Sequence, residues 1–462
     1  MNEKIILAGV IFYYLCCYSL SAQLSIPSVF GDNMVLQQES NVAVWGYGNR
    51  DEIVKITGSW APYDTVCAKA DVLGKFIAYL PTKNYGGPYT LSVLGSQKYV
   101  FRNVMLGEVW LCSGQSNMAM ALNATKNAMQ ELEHAENPNI RIFSIARKGA
   151  ENPQNDCSAR WVSCSSENAR HTSAVAYYFA KKINKETECP IGIIVSSYGG
   201  TPAEAWTPDE VVEKDEEISN DLCKELWETR PSKPGVLYNW MIHPIIPYSI
   251  AGCIWYQGES NHSHHRVYAK LLGSMVASWR DRFGIEFPFY VVQIAPYKYN
   301  SAANTPALLR EQQEIFTQKV KKTGLIVISD LVDDLNDIHP VSKKMVGYRL
   351  ANLALGDHYK QNIKGYKSPT FNKIHFEKGK AVIQFKDVEK LTIKPACSGL
   401  EVAGEDGLFS PANGKIKENR LYVWSAKVKN PVYVRYCFTD SYEPCLFDET
   451  GLPVAPFRTD SF

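Results

Sequence analysis

The chain has 462 residues, of which 45% are hydrophobic and 21% are charged, a composition typical of globular proteins. At roughly 150 residues per domain, this length predicts about three domains, and the composition excludes a disordered chain and a polytopic membrane protein. The 49 basic and 48 acidic residues leave a formal charge of +1, so no nucleic-acid partner is expected.

Residues 1–22 have the layout of a secretory signal peptide. Lys4 precedes an apolar run from Ile5 to Leu20, and small residues follow up to Ala22. We therefore predict cleavage near Ala22 and an exported protein that is periplasmic, extracellular or lysosomal according to its source. An uncleaved membrane anchor is the alternative, because the run is nearly long enough to span a bilayer. After cleavage, no membrane span is expected.

Residues 23–103 are predicted to form a β-sandwich-like N-terminal domain. Apolar and polar residues alternate in short runs, and turn sequences such as Gly86-Gly87-Pro88 separate the runs. A period of two with frequent turns is typical of half-buried antiparallel strands. The alternating pairs include Val42/Val44, Val54/Ile56, Phe76/Ala78, Leu91/Val93 and Tyr99/Phe101.

The pattern changes at Val104, where short continuous apolar runs begin to alternate with amphipathic helical segments. Such runs are typical of strands that are buried on both faces of a sheet. Residues 104–364 are therefore predicted to form a doubly wound three-layer αβα domain with a parallel sheet, whose ligands bind at the carboxyl ends of the strands. Alternation returns afterwards, so residues 365–462 are predicted to be a C-terminal β-rich region. The five predicted parallel strands are Val104 to Leu111, Ile191 to Val195, Ile250 to Trp255, Phe287 to Ile294 and Leu325 to Ser329.

Ser116 lies just past the first of these strands, before a short segment with helical character. A serine at a strand-to-helix turn is exposed and lies close to free backbone N–H groups, which suits a nucleophile whose attack creates an oxyanion. A helix-capping serine is the common alternative. The turn also differs from the G-x-S-x-G elbow, since Met118 stands where the second glycine belongs.

Three further polar clusters follow the ends of other predicted strands. Gly199-Gly200 allows close approach of the backbone to a ligand, Gln257 and Asn261 supply amide donors, and His339 supplies a possible general base. Taken singly, each has an ordinary explanation as a tight turn or a solvated side chain. Their joint occurrence at one edge of one sheet predicts an active site.

A metal site is not expected. His262, His264 and His265 could chelate a metal, but they stand in a polar loop without a nearby carboxylate pattern. A solvated histidine cluster is therefore the favoured interpretation.

The same clusters, taken in order, resemble the motif blocks of the sialate O-acetylesterases, which are members of the SGNH (GDSL-like) hydrolase superfamily. The resemblance covers nearly the whole mature chain, including Asp32–Gln38 near the start and Gly451–Asp460 near the end. The four blocks are Gly114–Met118 (GQSNM), Gly199–Trp206 (GGTPAEAW), Trp255–Asn261 (WYQGESN) and Asp337–Pro340 (DIHP).

The resemblance implies a serine esterase that removes O-acetyl groups from sugars, typically the 9-O-acetyl group of sialic acid, and that needs no cofactor. Ser116 would be the nucleophile and His339 the general base. The oxyanion hole would be formed by the backbone N–H groups of Ser116 and Gly200 together with one side-chain amide. Gln257 is the favoured donor of that amide, and Asn261 is the alternative. The side chains predicted to contact the substrate are Gln115, Trp206, Trp255, Tyr256 and Glu259.

The chain departs from the superfamily pattern at two positions. The usual acid stands three residues before the histidine, where this chain has Asn336. Asp337 is the nearest carboxylate and is our candidate for orienting His339, with a backbone carbonyl as the alternative. The third block usually has its asparagine two residues after the glycine, where this chain has Ser260.

Two other functions stay open at this point. The motif blocks define the ester chemistry, whereas loops select the sugar, so an esterase for acetylated xylan or another plant glycan is the alternative within the enzyme class. A glycan-binding protein on an inactive hydrolase scaffold is the alternative outside it. The presence of both Ser116 and His339 argues against the binding protein, which needs neither.

Overall fold

The computed structural model describes residues 23–222, 231–299, 301, 303–395 and 397–461. The predicted signal peptide, residues 1–22, lies outside the described residues. Within the described ranges, no helix is long and apolar enough to cross a membrane.

Two small sheets form the N-terminal region and enclose one core. Asn41–Tyr47 pairs antiparallel with Lys75–Pro81 in the first sheet. In the second sheet, Ile53–Gly58 lies between Val66–Lys69 and Gly86–Leu94. The β-rich N-terminal region is therefore confirmed. The alternating apolar residues are buried where the two sheets face each other, among them Val42, Val44, Val54, Ile56, Phe76, Leu80, Leu91 and Val93.

One long strand, Lys98–Gly114, belongs to both the N-terminal sheet and the sheet of the α/β domain. Its first part pairs antiparallel with Gly86–Leu94, and Val35–Gln37 pairs with it in parallel. The predicted boundary between residues 103 and 104 therefore falls inside a continuous strand. The apolar pattern does change at Val104, and Asn103 adopts a φ of 55°, but the strand continues through this point.

Among the described residues, the sheet of the α/β domain has six parallel strands and one antiparallel edge strand. All five predicted strands are present. The sixth, Asn137–Ser144, was missed because Arg141 interrupts its apolar run. Arg141 is buried, and its guanidinium donates to the side-chain oxygens of Asn33 and Asn103, both at 3.3 Å. The order across the sheet is Thr323–Ile326, Phe289–Val292, Gly252–Tyr256, Lys98–Gly114, Ile191–Ser197, Asn137–Ser144 and Trp161–Cys164.

Helices cover both faces of this sheet, so the predicted three-layer α/β fold is confirmed. Ala174–Thr187 and Lys343–Asp357 pack on one face, whereas Tyr268–Phe283 and Thr305–Lys319 pack on the other. The shorter α-helices are Ser116–Ala119, Ala128–Leu132, Ser166–Arg170, Asp209–Glu213 and Glu216–Asp221. Single turns and short segments of 3-10 or π helix are Leu122–Ala124, Ala203–Trp206, Tyr238–Ile242, His243–Ile245, Glu259–Val267 and Ser329–Leu331.

The C-terminal region is β-rich, as predicted, and has a hydrophobic core of its own. Cys397 and Cys445 form a disulfide within it. It is joined to the α/β domain by Arg458, whose guanidinium pairs with the Glu311 carboxylate at 2.8 Å. Its strands are Thr370–Glu377, Lys380–Lys386, Thr392–Ile393, Leu400–Ala403, Ser410–Pro411, Asn413–Lys417, Arg420–Trp424, Tyr433–Tyr436, Leu446–Phe447 and Phe457–Arg458.

Candidate active site

Ser116 begins a one-turn helix, Ser116–Ala119, directly after the central strand ends at Gly114. Gly114 has a φ of 136°, and a Cβ atom there would stand 2.2 Å from the carbonyl oxygen of Tyr256. Only glycine therefore allows the two neighbouring strand ends to approach this closely. The turn leaves the Ser116 side chain partly exposed at the carboxyl edge of the sheet.

His339 lies beside Ser116, although 223 residues separate them in the sequence. The Nε2 atom of His339 stands 2.9 Å from the Oγ atom of Ser116, within hydrogen-bond distance. Burial lowers the pKa of His339, and the nearby charge of Lys343 lowers it further, while Asp337 acts in the opposite direction. An imidazole with a lowered pKa is neutral at neutral pH, so it can accept the proton of the serine hydroxyl.

Asp337 does not occupy the position predicted for it. Its Oδ1 atom accepts a hydrogen bond from the backbone N–H of His339 at 2.8 Å, and within the described chain it makes no hydrogen bond to the imidazole. The reason is the two-residue offset, because an aspartate side chain readily closes a turn onto the N–H two residues later. Asp337 therefore fixes the main chain of His339 and acts on the ring only through its charge.

We expect Asp337→Asn to move the acidic limb of the pH profile of kcat/KM to lower pH. The carboxylate favours the imidazolium form of His339, so its removal lowers the pKa of the ring and keeps the neutral base at more acidic pH. The shift should be about one pH unit or less, because the carboxylate is exposed to solvent. Initial rates measured across the acidic range check this, and an unmoved or upward-shifted limb would contradict it.

The backbone N–H groups of Ser116 and Gly200 are the candidates at this edge for binding an oxyanion. Among the described residues, the N–H groups of Ser116 and Gly200 donate to no acceptor. Gly199 lies close to Ser116, since a Cβ atom on it would lie 3.4 Å from the Cβ atom of Ser116, and Gly200 follows with a φ of 70°. Preorganised N–H donors of this kind stabilise the negative charge of a tetrahedral intermediate.

Gln257 and Asn261, by contrast, are not available as oxyanion donors, which corrects the prediction for both. The Gln257 Nε2 atom donates to the Asn261 Oδ1 atom at 2.7 Å and to the Thr201 carbonyl at 3.2 Å. The Asn261 Nδ2 atom donates to the Glu204 carboxylate at 2.8 Å. Both side chains are buried. Their hydrogen bonds join the second and third motif blocks in one network beneath the site.

The predicted sugar contacts of the three aromatic residues are also wrong. Trp206, Trp255 and Tyr256 have no exposed surface. The ring planes of Trp206 and Trp255 stand at 89° to each other with their centroids 6.0 Å apart, and Trp279 packs against Trp255 in the same manner. Trp255 and Tyr256 end a strand that is buried on both faces, so their rings fill the core instead of the cleft.

Gln115 and Glu259, the remaining predicted substrate contacts, are buried too. The Gln115 Oε1 atom accepts from the N–H groups of Gly258 at 3.4 Å and Ser260 at 3.3 Å. The Glu259 Oε1 atom accepts from the Asn117 amide at 2.6 Å. Both side chains therefore hold the motif blocks together, which corrects the substrate-contact prediction.

The histidine loop is held by ordinary polar contacts. The Nδ1 atom of His262 lies 2.9 Å from the hydroxyl of Thr305, and that of His264 contacts the Asp221 carbonyl. In the part of the chain that the structure describes, no group of three or more His, Cys, Asp or Glu side chains is arranged to hold a metal ion.

Residues 106–356 match the family model described as "Carbohydrate esterase, sialic acid-specific acetylesterase". This match covers more than half of the chain. The chain belongs to this family. The resemblance drawn from the four motif blocks is thereby confirmed, and with it the assignment to the carboxylic ester hydrolases.

Curated relatives and a solved structure support the same family assignment. Sialate O-acetylesterases of Homo sapiens and Pongo abelii are each 30% identical over 79% of this chain and 77% of theirs. The Mus musculus sialate O-acetylesterase is 27% identical over 97% of both chains. A crystal structure of a carbohydrate acetylesterase from Xanthomonas citri has a TM-score of 0.86 and 32% identity, covering 95% of this chain and all of that one.

Ser116 and His339 are called the dyad below. Sequence reasoning missed two residues beside it, Asn117 and Lys343. Both are buried, and their side chains are joined by a hydrogen bond of 2.6 Å. Asn117 lies within the first motif block, but nothing in the sequence indicates a role for it separate from that of Ser116. Lys343 reads as an ordinary solvated lysine at the start of a helix; its only signal is a spacing of four residues from His339.

Proposed function

We propose that this carbohydrate esterase hydrolyses O-acetyl esters of sugars, and that its preferred substrate is sialic acid with a 9-O-acetyl group. The observation that carries the proposal is the 2.9 Å contact between Ser116 Oγ and His339 Nε2 at the carboxyl edge of the sheet. The names of the mammalian relatives support sialic acid as the sugar. A glycan-binding protein would need no such contact.

In the first half-reaction, Ser116 Oγ attacks the carbonyl carbon of the acetyl group while His339 Nε2 takes the hydroxyl proton. The carbonyl oxygen becomes an oxyanion, which accepts hydrogen bonds from the N–H groups of Ser116 and Gly200. The C–O bond to the sugar then breaks, and His339 gives its proton to the departing sugar oxygen. Ser116 is left acetylated and His339 neutral.

In the second half-reaction, a water molecule gives a proton to His339 and attacks the acetyl carbon. The same N–H groups stabilise the second oxyanion. Collapse of this intermediate breaks the bond to Ser116 Oγ, which recovers its proton from the imidazolium, and acetate leaves. No cofactor enters either half-reaction.

The test is acetate release from 9-O-acetylated sialic acid, acetylated xylan and a small chromogenic acetate. We expect release from sialic acid and from the chromogenic ester. Release from xylan but not from sialic acid would make this chain a plant-glycan esterase, the alternative left open by the Xanthomonas citri carbohydrate acetylesterase. No release from any ester would reject the esterase and leave the glycan-binding alternative.

Arg147 is our candidate for binding the sialate carboxylate. It follows the strand Asn137–Ser144 at the carboxyl edge of the sheet, and its side chain is exposed. Its guanidinium donates to the carbonyl of Ala119 at 3.2 Å. Ala119 ends the single helical turn that Ser116 begins, and one turn rises only about 5.4 Å, so the cation stands at the rim of the site.

We expect Arg147→Gln to raise KM for 9-O-acetylated sialic acid by about 10-fold, because the substitution removes one charge-assisted hydrogen bond to the carboxylate. The KM for the chromogenic acetate, which has no carboxylate, should stay unchanged. Steady-state kinetics with both esters check this, and Arg50→Gln, at an exposed position of the N-terminal region, is the matched control. Equal effects on both esters would contradict the assignment.

We also propose that the enzyme is exported. It is supported by the signal-like sequence of residues 1–22 and by the disulfide between Cys397 and Cys445, since disulfides persist in oxidising compartments. An N-terminus near Gln23 in the protein recovered outside the cytoplasm would support it, and retention of Lys4 would count against it.

A further inference from the structure

A buried polar network lies directly beneath the dyad and takes no part in the chemistry described above. It consists of Glu259, Asn117 and Lys343, whose side chains are 6%, 0% and 1% exposed. Groups of this kind are costly to bury, and a well-packed apolar cluster often stabilises a fold equally well. Their presence next to a nucleophile and its base therefore needs a functional reason.

The side-chain amide of Asn117 makes three hydrogen bonds. Its Nδ2 atom donates to the Glu259 carboxylate at 2.6 Å and to the carbonyl oxygen of Ile338 at 3.0 Å. Its Oδ1 atom accepts from the Lys343 ammonium at 2.6 Å. A carboxylate on one side and an ammonium on the other fix the amide in one orientation, because only the nitrogen can donate and only the oxygen can accept.

Each contact ties this amide to an element of the site. Asn117 is the residue after Ser116, and Ile338 is the residue before His339. Glu259 lies within the third motif block, and Lys343 begins the long helix that follows His339. A single side chain thus joins the backbone of the nucleophile to the backbone of the base.

The charges of the network also reach the base. Burial lowers the pKa of Lys343 to about 7, whereas Glu259 and Asp337 act to raise it. Burial raises the pKa of Glu259, and its Oε2 atom has no hydrogen-bond partner among the described residues. The groups that act on His339 are the Ser116 hydroxyl, the Asp337 carboxylate and the Lys343 ammonium, of which Lys343 favours the neutral imidazole.

We propose that Asn117 is the positioning residue that sets the separation of Ser116 Oγ and His339 Nε2, and that Glu259 and Lys343 hold its amide in place. This inference rests on the proposed function of the dyad. Asn117 and Lys343 touch neither the ester nor the transferred proton; they act through the two residues that do. Reacting groups must be held within a fraction of an ångström, and a misplacement of about 1 Å costs about 100-fold in rate.

The test uses Asn117→Ser and Lys343→Met in the full chain, with the chromogenic acetate as substrate. We expect each variant to lower kcat by about 10- to 100-fold with little change in KM, because the substrate does not touch these residues. Lys343→Met should also move the acidic limb of kcat/KM to higher pH, since removing the ammonium raises the pKa of His339. A purely structural lysine would not move this limb.

Matched controls are Asn123→Ser and Lys344→Met. Asn123 is exposed, and the Lys344 ammonium pairs with Glu131 at 3.3 Å. Both controls should keep wild-type kinetics. Rates are divided by the folded fraction from circular dichroism, and if Lys343→Met fails to fold, the test rests on Asn117→Ser, which keeps a hydroxyl at the position.

The inference is overturned if folded Asn117→Ser keeps the wild-type kcat, or if folded Lys343→Met leaves both kcat and the acidic limb unmoved. Failure of the inference can be told apart from failure of the proposed function. In the first case the wild type releases acetate and the variants match it, whereas in the second the wild type releases none.

Discussion

Ser116→Ala is expected to lower kcat for acetate release by on the order of 10⁴ to 10⁶, with little change in KM. The substitution removes the proposed nucleophile, Ser116 Oγ, which stands 2.9 Å from the Nε2 atom of His339. The backbone N–H groups of Ser116 and Gly200 remain, so the residual rate reflects their stabilisation of direct attack by water. Steady-state kinetics with the chromogenic acetate and with 9-O-acetylated sialic acid measure the loss.

Ser166→Ala provides the control for this substitution. Ser166 is exposed at the start of the short helix Ser166–Arg170, far along the chain from the dyad. It should keep wild-type kinetics and the wild-type melting temperature. Ester hydrolysis that survives intact in Ser116→Ala would remove Ser116 as the nucleophile.

His339→Gln is expected to lower kcat by a comparable factor, on the order of 10⁴ or more. A glutamine can still form a hydrogen bond to the Ser116 hydroxyl, but it cannot take up the proton. The shape of the pH profile should change as well. The acidic limb due to the imidazole should vanish, and the residual rate should rise with hydroxide concentration, because hydroxide then replaces the base.

His375→Gln is the matched control for the base. His375 is exposed on the strand Thr370–Glu377 in the C-terminal region. Its substitution should leave both kcat and the pH profile as they are in the wild type. A His339→Gln variant that kept the acidic limb of the wild type would show that another group is the base.

The fold and the location of the site could be predicted because both depend on local patterns. Continuous apolar runs identified five strands of the parallel sheet, and such strands place their carboxyl ends along one edge. Ser116, Gly200 and His339 meet at that edge, since each follows a strand of the sheet in the chain. The missed strand Asn137–Ser144 shows the limit of this reasoning, because the buried Arg141 satisfies its charge through contacts distant in sequence.

The roles of individual side chains at the edge could not be predicted in the same way. Gln257 and Asn261 are amides at the expected strand end, but besides each other they bind Thr201 and Glu204, more than 50 residues away. Trp255 follows the alternation of its strand into the core, where a sugar cannot reach it. Sequence position gives the end of a strand; burial and hydrogen-bond partners decide which side chains face the substrate.

Lys343 illustrates the same limit for charge. A lysine at the start of a helix is normally solvated, and nothing in its neighbours along the chain marks it as buried. It is buried beside the Asn117 side chain and the ring of Tyr256, whose centroid lies 5.1 Å from the ammonium. Such a position is found only when the elements around it are assembled.

In the proposed mechanism, Ser116 carries the acetyl group between the two half-reactions. The most direct test of this step is rapid acid quench of the enzyme during turnover of 9-O-acetylated sialic acid, followed by peptide mapping by mass spectrometry. We expect a peptide containing residue 116 that is heavier by one acetyl group in the wild type and unmodified in Ser116→Ala. Acetate release during turnover with the acetyl group on another residue would contradict it.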